Sequence, residues 1–151
     1  LSPLVLADPD KIAIQIAEAS IHLKAERYDQ AQAILESALE LNPENYPLTM
    51  ALADVLINTD PRRAQKMLTT LTTSRKNDAY LWYHLAEAAG LAGDIPEVHW
   101  SRAEYFILTG NLDQALKQLD YTLSLIKRNF QQEAKVKSRI KEIQELNDKK
   151  S

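Results

Sequence analysis

The chain has 151 residues, of which 45% are apolar and 26% charged, with 21 acids against 18 bases and no cysteine. That length allows one compact domain or one short solenoid. The charge balance excludes a strongly basic nucleic-acid binder, and the missing thiols exclude disulfide scaffolds, thiolate zinc sites and cysteine nucleophiles while leaving the compartment open. No apolar run reaches the length needed to cross a bilayer. The opening LSPLVLADPD lacks the basic region of a signal peptide, and a first residue of Leu rather than Met reads as a processed or excised fragment.

Glycine occurs three times, and long stretches are rich in Ala, Leu, Gln, Glu and Lys, which favour helix. No stretch alternates with a period of two for long enough to predict a strand. The apolar spacing predicts helices over Ile12–Lys24 and over Tyr28–Leu41, the latter stopped by Asn42-Pro43. A third runs from Tyr46 to Ile57. Asp60-Pro61 starts a fourth as cap and first-turn proline. A fifth covers Asp78 to Ala89 and ends within Gly90–Gly93. Asp94 caps a sixth that runs from Pro96 to Leu108 and ends at Gly110. A seventh covers Leu112 to Ile126, and a polar eighth runs from Phe130 to Leu146 on a stripe of Val136, Ile140 and Ile143. Short links make such helices antiparallel neighbours.

Internal repetition separates a bundle from a solenoid. Pro9 and Pro43 stand 34 residues apart; ERYDQA at Glu26–Ala31 returns as GNLDQA at Gly110–Ala115, and more weakly as GDIPEV at Gly93–Val98. These features resemble the tetratricopeptide-repeat (TPR) family. The residues that carry the resemblance are Ala19, Tyr28, Ala31, Ala38 and Pro43 in the first unit, and Ala53 and Ala64 in the second. Trp82, Leu85, Ala86 and Gly93 carry it in the third, and Ala103, Phe106, Gly110 and Ala115 in the last. The resemblance implies an all-α, TPR-type α-solenoid of about eight antiparallel helices. Residues 1–10 then end a preceding repeat or form a linker. Repeats fall at about 11–43, 44–77, 78–109 and 96–128, and a basic capping helix and tail occupy 129–151. Because the small second-helix residue falls at Ala31, Ala64 and Val98 and then at Ala115, the helix from Pro96 to Leu108 closes the third repeat and opens the fourth. Arg102, Tyr105 and Leu108 serve the third and Ala103 and Phe106 the fourth, with an irregular junction between them.

Over essentially the whole chain, and most specifically over Trp82–Ala115, the order of segments is similar to the C-terminal TPR region of periplasmic zinc metalloproteases of the BepA (beta-barrel assembly-enhancing) type. That resemblance implies a protein- or peptide-binding module in the periplasm, an upstream protease domain and outer-membrane β-barrel assembly machinery as partner. The competing reading is a stand-alone TPR adaptor, periplasmic or cytoplasmic. Catalysis is not expected of the chain itself. His22, His84 and His99 form no His-Glu-x-x-His, and no phosphate-binding loop occurs, so neither cofactor nor metal is expected. A metal site built from His84, Glu87, His99 and Glu104 is the competing reading to polar histidines on helix faces.

In the TPR family the first helix of each pair lines the concave face. This implies groove candidates Met50, Asp54, Tyr80, Tyr83, His84, Glu87, Trp100 and Glu104, with Tyr83 and Trp100 as anchors around one groove. Both rings also fit ordinary inter-repeat core, whereas Trp82 occupies the family's packing position. Gln118 falls on an outer face. Residues 1–126 hold 10 bases and 17 acids, and residues 127–151 hold 8 bases and 4 acids. The basic end reads as a cap of the solenoid, with contact to anionic lipid or RNA as the alternative; aromatics interleaved with its bases are absent beyond Phe130, which argues against nucleic acid.

Overall fold

The structure, a computed structural model, describes residues 8–150. It forms α1 (Pro9–Lys24), α2 (Tyr28–Leu41), α3 (Tyr46–Thr59), α4 (Pro61–Ser74), α5 (Ala79–Ala92), α6 (Ile95–Leu108), α7 (Leu112–Leu125) and α8 (Phe130–Lys150), with no strand among the described residues. The fold class is all-α. Residues 1–7, most of the segment read above as linker, lie outside the described residues.

The helix starts follow from side-chain caps. Asp8 accepts from the Asp10 and Lys11 amides and Asn45 from Leu48. Asp60 accepts from the Arg63 amide, Asp78 from Leu81, Asp94 from Glu97, Asn111 from Gln114 and Asn129 from Gln132. Each such cap contributes about 1 kcal/mol by satisfying an otherwise unbonded first-turn amide. The Asp8 cap, with Pro9 in the first turn where it lacks no needed donor, starts α1 three residues ahead of the apolar stretch at Ile12. Only α2 starts without a side-chain cap.

Helix α5 ends inside the stretch that the sequence marked: Gly90 lies within the helix, since glycine alone does not break one, and Gly93 caps it with a left-handed φ of 82°. Helix α3 runs past Ile57 to Thr59. Helix α8 continues past Leu146 to Lys150, a polar extension that the apolar stripe does not mark. Glu26, Gly93 and Gly110, equivalent in the repeated motif, share left-handed backbone with φ of 60°, 82° and 83°.

The chain divides into two compact units at Met67/Leu68, within α4. In the first, α1 packs on both α2 and α3, and α2 on α3. Its core mixes small side chains (Ala19, Ala31, Ala38, Ala53) with Leu35, Leu48, Leu52 and Leu56, all buried. Small residues let helix axes approach, and the larger ones fill the remaining space to interior density. Arg63 bridges to Glu36 at 2.8 Å on the surface of this unit.

In the second unit α6 packs against both α5 and α7, and α7 against α8. Ala103, Leu112, Leu119, Ile126, Val136 and Ile143 form one buried cluster, with Trp100, Ile107, Leu116, Leu123 and Ile140 packed on it. Helix α8 is locked to α6 by Arg139, which donates from Nε and Nη2 to the two carboxylate oxygens of Glu104 at 3.0 and 2.8 Å. Nη1 of the same guanidinium reaches Glu142 at 2.8 Å. The Glu104 hydrogen bond holds the Arg139 proton more firmly than usual, raising its pKa.

Candidate protein-binding site

Helix α5 is fixed before it presents anything to solvent. Asp78 caps it, and Trp82, buried against the unit, donates its indole N–H to the Lys76 carbonyl at 2.8 Å. Leu81, Leu85, Ala88 and Ala89 complete the inward face. The helical period then leaves Tyr80, Tyr83 and Glu87 on the outward face, at steps of three and four residues. Across from it α6 contributes Arg102, Tyr105 and Phe106.

These residues enclose an open cavity of about 300 Å³, lined by Tyr83, Ala86, Glu87, Arg102, Tyr105 and Phe106. Its aromatic wall is continuous: the Tyr83 and Tyr105 ring centres are 5.8 Å apart and those of Tyr105 and Phe106 5.6 Å. His84 extends it, with Tyr80 at 4.2 Å and Tyr83 at 5.8 Å, both edge-on. Tyr83 remains 56% exposed although it is anchored through its ring contacts. Glu87 and Arg102, both exposed, supply opposite charges on facing helices. The arrangement suits a peptide side chain that is apolar at its body and polar at its tip. Aromatic walls remove the body from water, while a carboxylate and a guanidinium are available to backbone or charged groups.

Not every groove candidate falls here. Tyr83 and Glu87 line the cavity, and Tyr80 and His84 flank it. Trp100 turns to the other side of α6, because two residues separate it from Arg102 and two residues are about 200° of helix rotation. It is half-buried on the cluster shared with α7 and α8, with the Lys135 ammonium 4.5 Å from its ring centre. There it lines a second, smaller cavity of about 170 Å³ with Glu97, Thr122, Gln132 and Lys135. A single groove with Tyr83 and Trp100 as its two anchors is therefore not formed. Glu104 is no rim residue either: it is buried and held by Arg139. In the first unit Met50 is buried, 6% exposed, and offers no surface to a ligand, and Asp54 is half-buried.

Several neighbouring polar groups have partners. His99 Nδ1 lies 2.7 Å from Gln118 Oε1 and its ring 5.2 Å from Tyr121, so Gln118 is engaged rather than idle on an outer face. His84 packs against Tyr80 and Tyr83 of α5 while His99 contacts Gln118 and Tyr121 of α7, and no group of three potential metal ligands occurs among the described residues. Burial raises the Glu97 pKa, with Asp94 and Glu104 adding to the rise and the Ser101 hydroxyl, which donates at 3.0 Å, opposing it. Of the TPR-position residues, Ala19, Ala31, Ala38, Ala53, Ala64, Trp82, Leu85, Ala86, Ala103 and Ala115 are buried. Tyr28 and Phe106 are half-buried, and Pro43 is exposed just after α2. The sequence reading assigned Arg102, Tyr105 and Phe106 to repeat packing and missed them as cavity lining; their spacing of three and four residues opposite the Tyr83 face was the available signal. Arg139 gave no signal at all, as one of eight bases in a polar tail.

The helix pairs bury small residues where their axes approach, and the tetratricopeptide-repeat family matches residues 22–88, somewhat under half of the chain. Such repeats are protein-interaction modules rather than catalysts. Over 150 residues, 99% of its length, the chain is 28% identical to the Beta-barrel assembly-enhancing protease of Escherichia coli strain K12 and to that of Shigella flexneri. It is 27% identical to the protein of that name from Yersinia pestis over the same share. The chain spans about a third, 31%, of the length of these relatives. No helix of the described residues is long and apolar enough to cross a membrane.

Proposed function

We propose that this chain is the accessory TPR part of a periplasmic metalloprotease and that it engages proteins of outer-membrane β-barrel assembly through the α5–α6 cavity. The observation that carries the reading is the aromatic cavity of Tyr83, Tyr105 and Phe106 with Glu87 and Arg102 in its walls. The 99% coverage by relatives named for β-barrel assembly supplies the partner class. Recognition falls to this chain and cleavage to a His-Glu-x-x-His domain elsewhere in the same protein. In binding terms, a partner side chain enters between Tyr83 and Tyr105 and is desolvated by the three rings, while Glu87 and Arg102 fix the flanking backbone or charges.

The test measures binding of the chain to purified β-barrel assembly components. Tyr83→Ala should weaken binding by about 30-fold, the equivalent of losing an anchor of about 2 kcal/mol, whereas Gln144→Ala on the exposed side of α8 should leave it unchanged. Equal binding by the two folded variants refutes the cavity as the recognition site. A gene whose full product lacks His-Glu-x-x-His returns the reading to a stand-alone adaptor.

A further inference from the structure

The turn between α7 and α8 combines features that protein packing does not account for. Ile126 is buried in the α7–α8 cluster, and the Asn129 amide donates to the Ile126 carbonyl at 2.9 Å, closing a four-residue turn. Asn129 then caps α8 through its side chain. The two central positions of this turn are Lys127 and Arg128, where Gly, Pro, Asn or Asp are the usual occupants. The next residue, Phe130, is 87% exposed, the most exposed of the large apolar side chains, and Leu125 on the other flank is 50% exposed. Among the described residues neither Lys127 nor Arg128 is in an ion pair. The turn is thus held firmly by one buried residue and two hydrogen bonds, yet it projects two bases between two exposed apolar side chains.

The charge along the chain sharpens this. Residues 127–141 hold six bases and one acid, in a chain that is otherwise acidic. Of those bases, Lys135 lies over Trp100, Lys137 is paired with Glu133 and Arg139 with Glu104, so Lys127 and Arg128 are the ones presented together at the tip. A protein partner would ordinarily receive a projecting phenylalanine in a pocket and leave it flanked by complementary shape. A lipid surface needs no such shape: an aromatic ring settles at headgroup depth and adjacent bases meet anionic headgroups.

We propose that the α7–α8 turn is a weak docking point for an anionic lipid surface, with Lys127 and Arg128 on the headgroups and Phe130 and Leu125 at the interface. The site is separate from the α5–α6 cavity and does not depend on the function proposed for it. Each base near an anionic surface contributes about fivefold to the partition, so the pair contributes about 30-fold. Such a site orients a protein against a membrane without anchoring it.

The test is co-flotation of the chain with vesicles of phosphatidylcholine alone or with 30% phosphatidylglycerol. Binding to the anionic vesicles only, lost at 0.5 M salt, is the expected result. Lys127→Gln with Arg128→Gln should lower the partition by about 30-fold. Phe130→Ser should lower it several-fold without affecting the thermal melt, since the ring makes little packing contact. Equal binding to both vesicle types, absence of binding to the anionic ones, or unchanged binding by the double variant overturns the proposal. If polyglutamate binds through Lys127 and Arg128 while vesicles are ignored, the turn is a docking surface for acidic protein and the lipid assignment is wrong.

Discussion

Gly93→Ala and Gly110→Ala should each destabilise the second unit by about 1 kcal/mol, whereas Gly90→Ala should stabilise it by about 0.5–1 kcal/mol. At Gly93 and Gly110 an added Cβ meets nothing within 4 Å, so no steric clash enters. What remains is the left-handed backbone, which costs an L-residue about 1–2 kcal/mol. Against it stands the narrower unfolded ensemble of alanine, about 0.4–1 kcal/mol, leaving a net loss of about 1 kcal/mol. Gly90 lies inside α5 with ordinary φ, and its added Cβ would stand 3.6 Å from Val98 Cγ2, a normal contact. There the helical preference of alanine is gained and no strain is added. All three positions lie in one unit, so they report on the same transition. Glu26 provides the inverse experiment in the other unit: it already sits at φ 60°, and Glu26→Gly should be neutral to stabilising by about 1 kcal/mol. Urea unfolding followed by circular dichroism, with unchanged m-values, measures each shift; about 1 kcal/mol corresponds to roughly 2–4 °C in Tm for a chain of this size. Equal-sign shifts for Gly90→Ala and Gly93→Ala would refute the reasoning.

Two other outcomes follow from the second unit. Arg139→Met should destabilise by about 3 kcal/mol, because it strands the buried Glu104 carboxylate, and adding Glu104→Gln should restore most of the loss; chemical denaturation of the two variants checks this. Glu97, whose pKa burial raises, is easiest to accommodate when protonated, so its ionisation removes stability as pH rises from the unfolded-state value near 4.5 through the folded one. Glu97→Gln keeps an acceptor for Ser101 and should raise Tm at pH 7, with the gain vanishing below pH 4; a Tm series from pH 3 to 8 reads it.

The helices were legible because their signals are local. A cap and the residues it bonds are three apart, as at Asp60 and Asp94, and an apolar stripe such as Val136, Ile140 and Ile143 needs only its own turn-to-turn spacing. The recurrence of ERYDQA and GNLDQA even aligned Glu26 with Gly110, although nothing in a glutamate announces left-handed backbone. The cavity lining was legible in half. Tyr83 and Glu87 follow from the face of one helix, but the register of α6 against its neighbours decides that Trp100 and Tyr105 part company. Arg139 and Glu104 lie 35 residues apart, and their meeting depends on how α8 settles along α6, which no window along the chain contains.

Of the 14 residues in α6, only Ile95 and Arg102 are exposed, because the helix is hemmed in by α5 and α7 and gripped by Arg139 from α8. That leaves evolution little room there. Ser101, Ala103 and Glu104 are committed inward and Trp100 is wedged against α8, so most changes along α6 are paid in stability. Ile95 and Arg102 are the exceptions, and of the two Arg102 forms part of the cavity wall. A lineage that must greet a new partner can rewrite this one position without disturbing the scaffold, and divergence among relatives should therefore concentrate at Arg102 while its helix stays nearly silent.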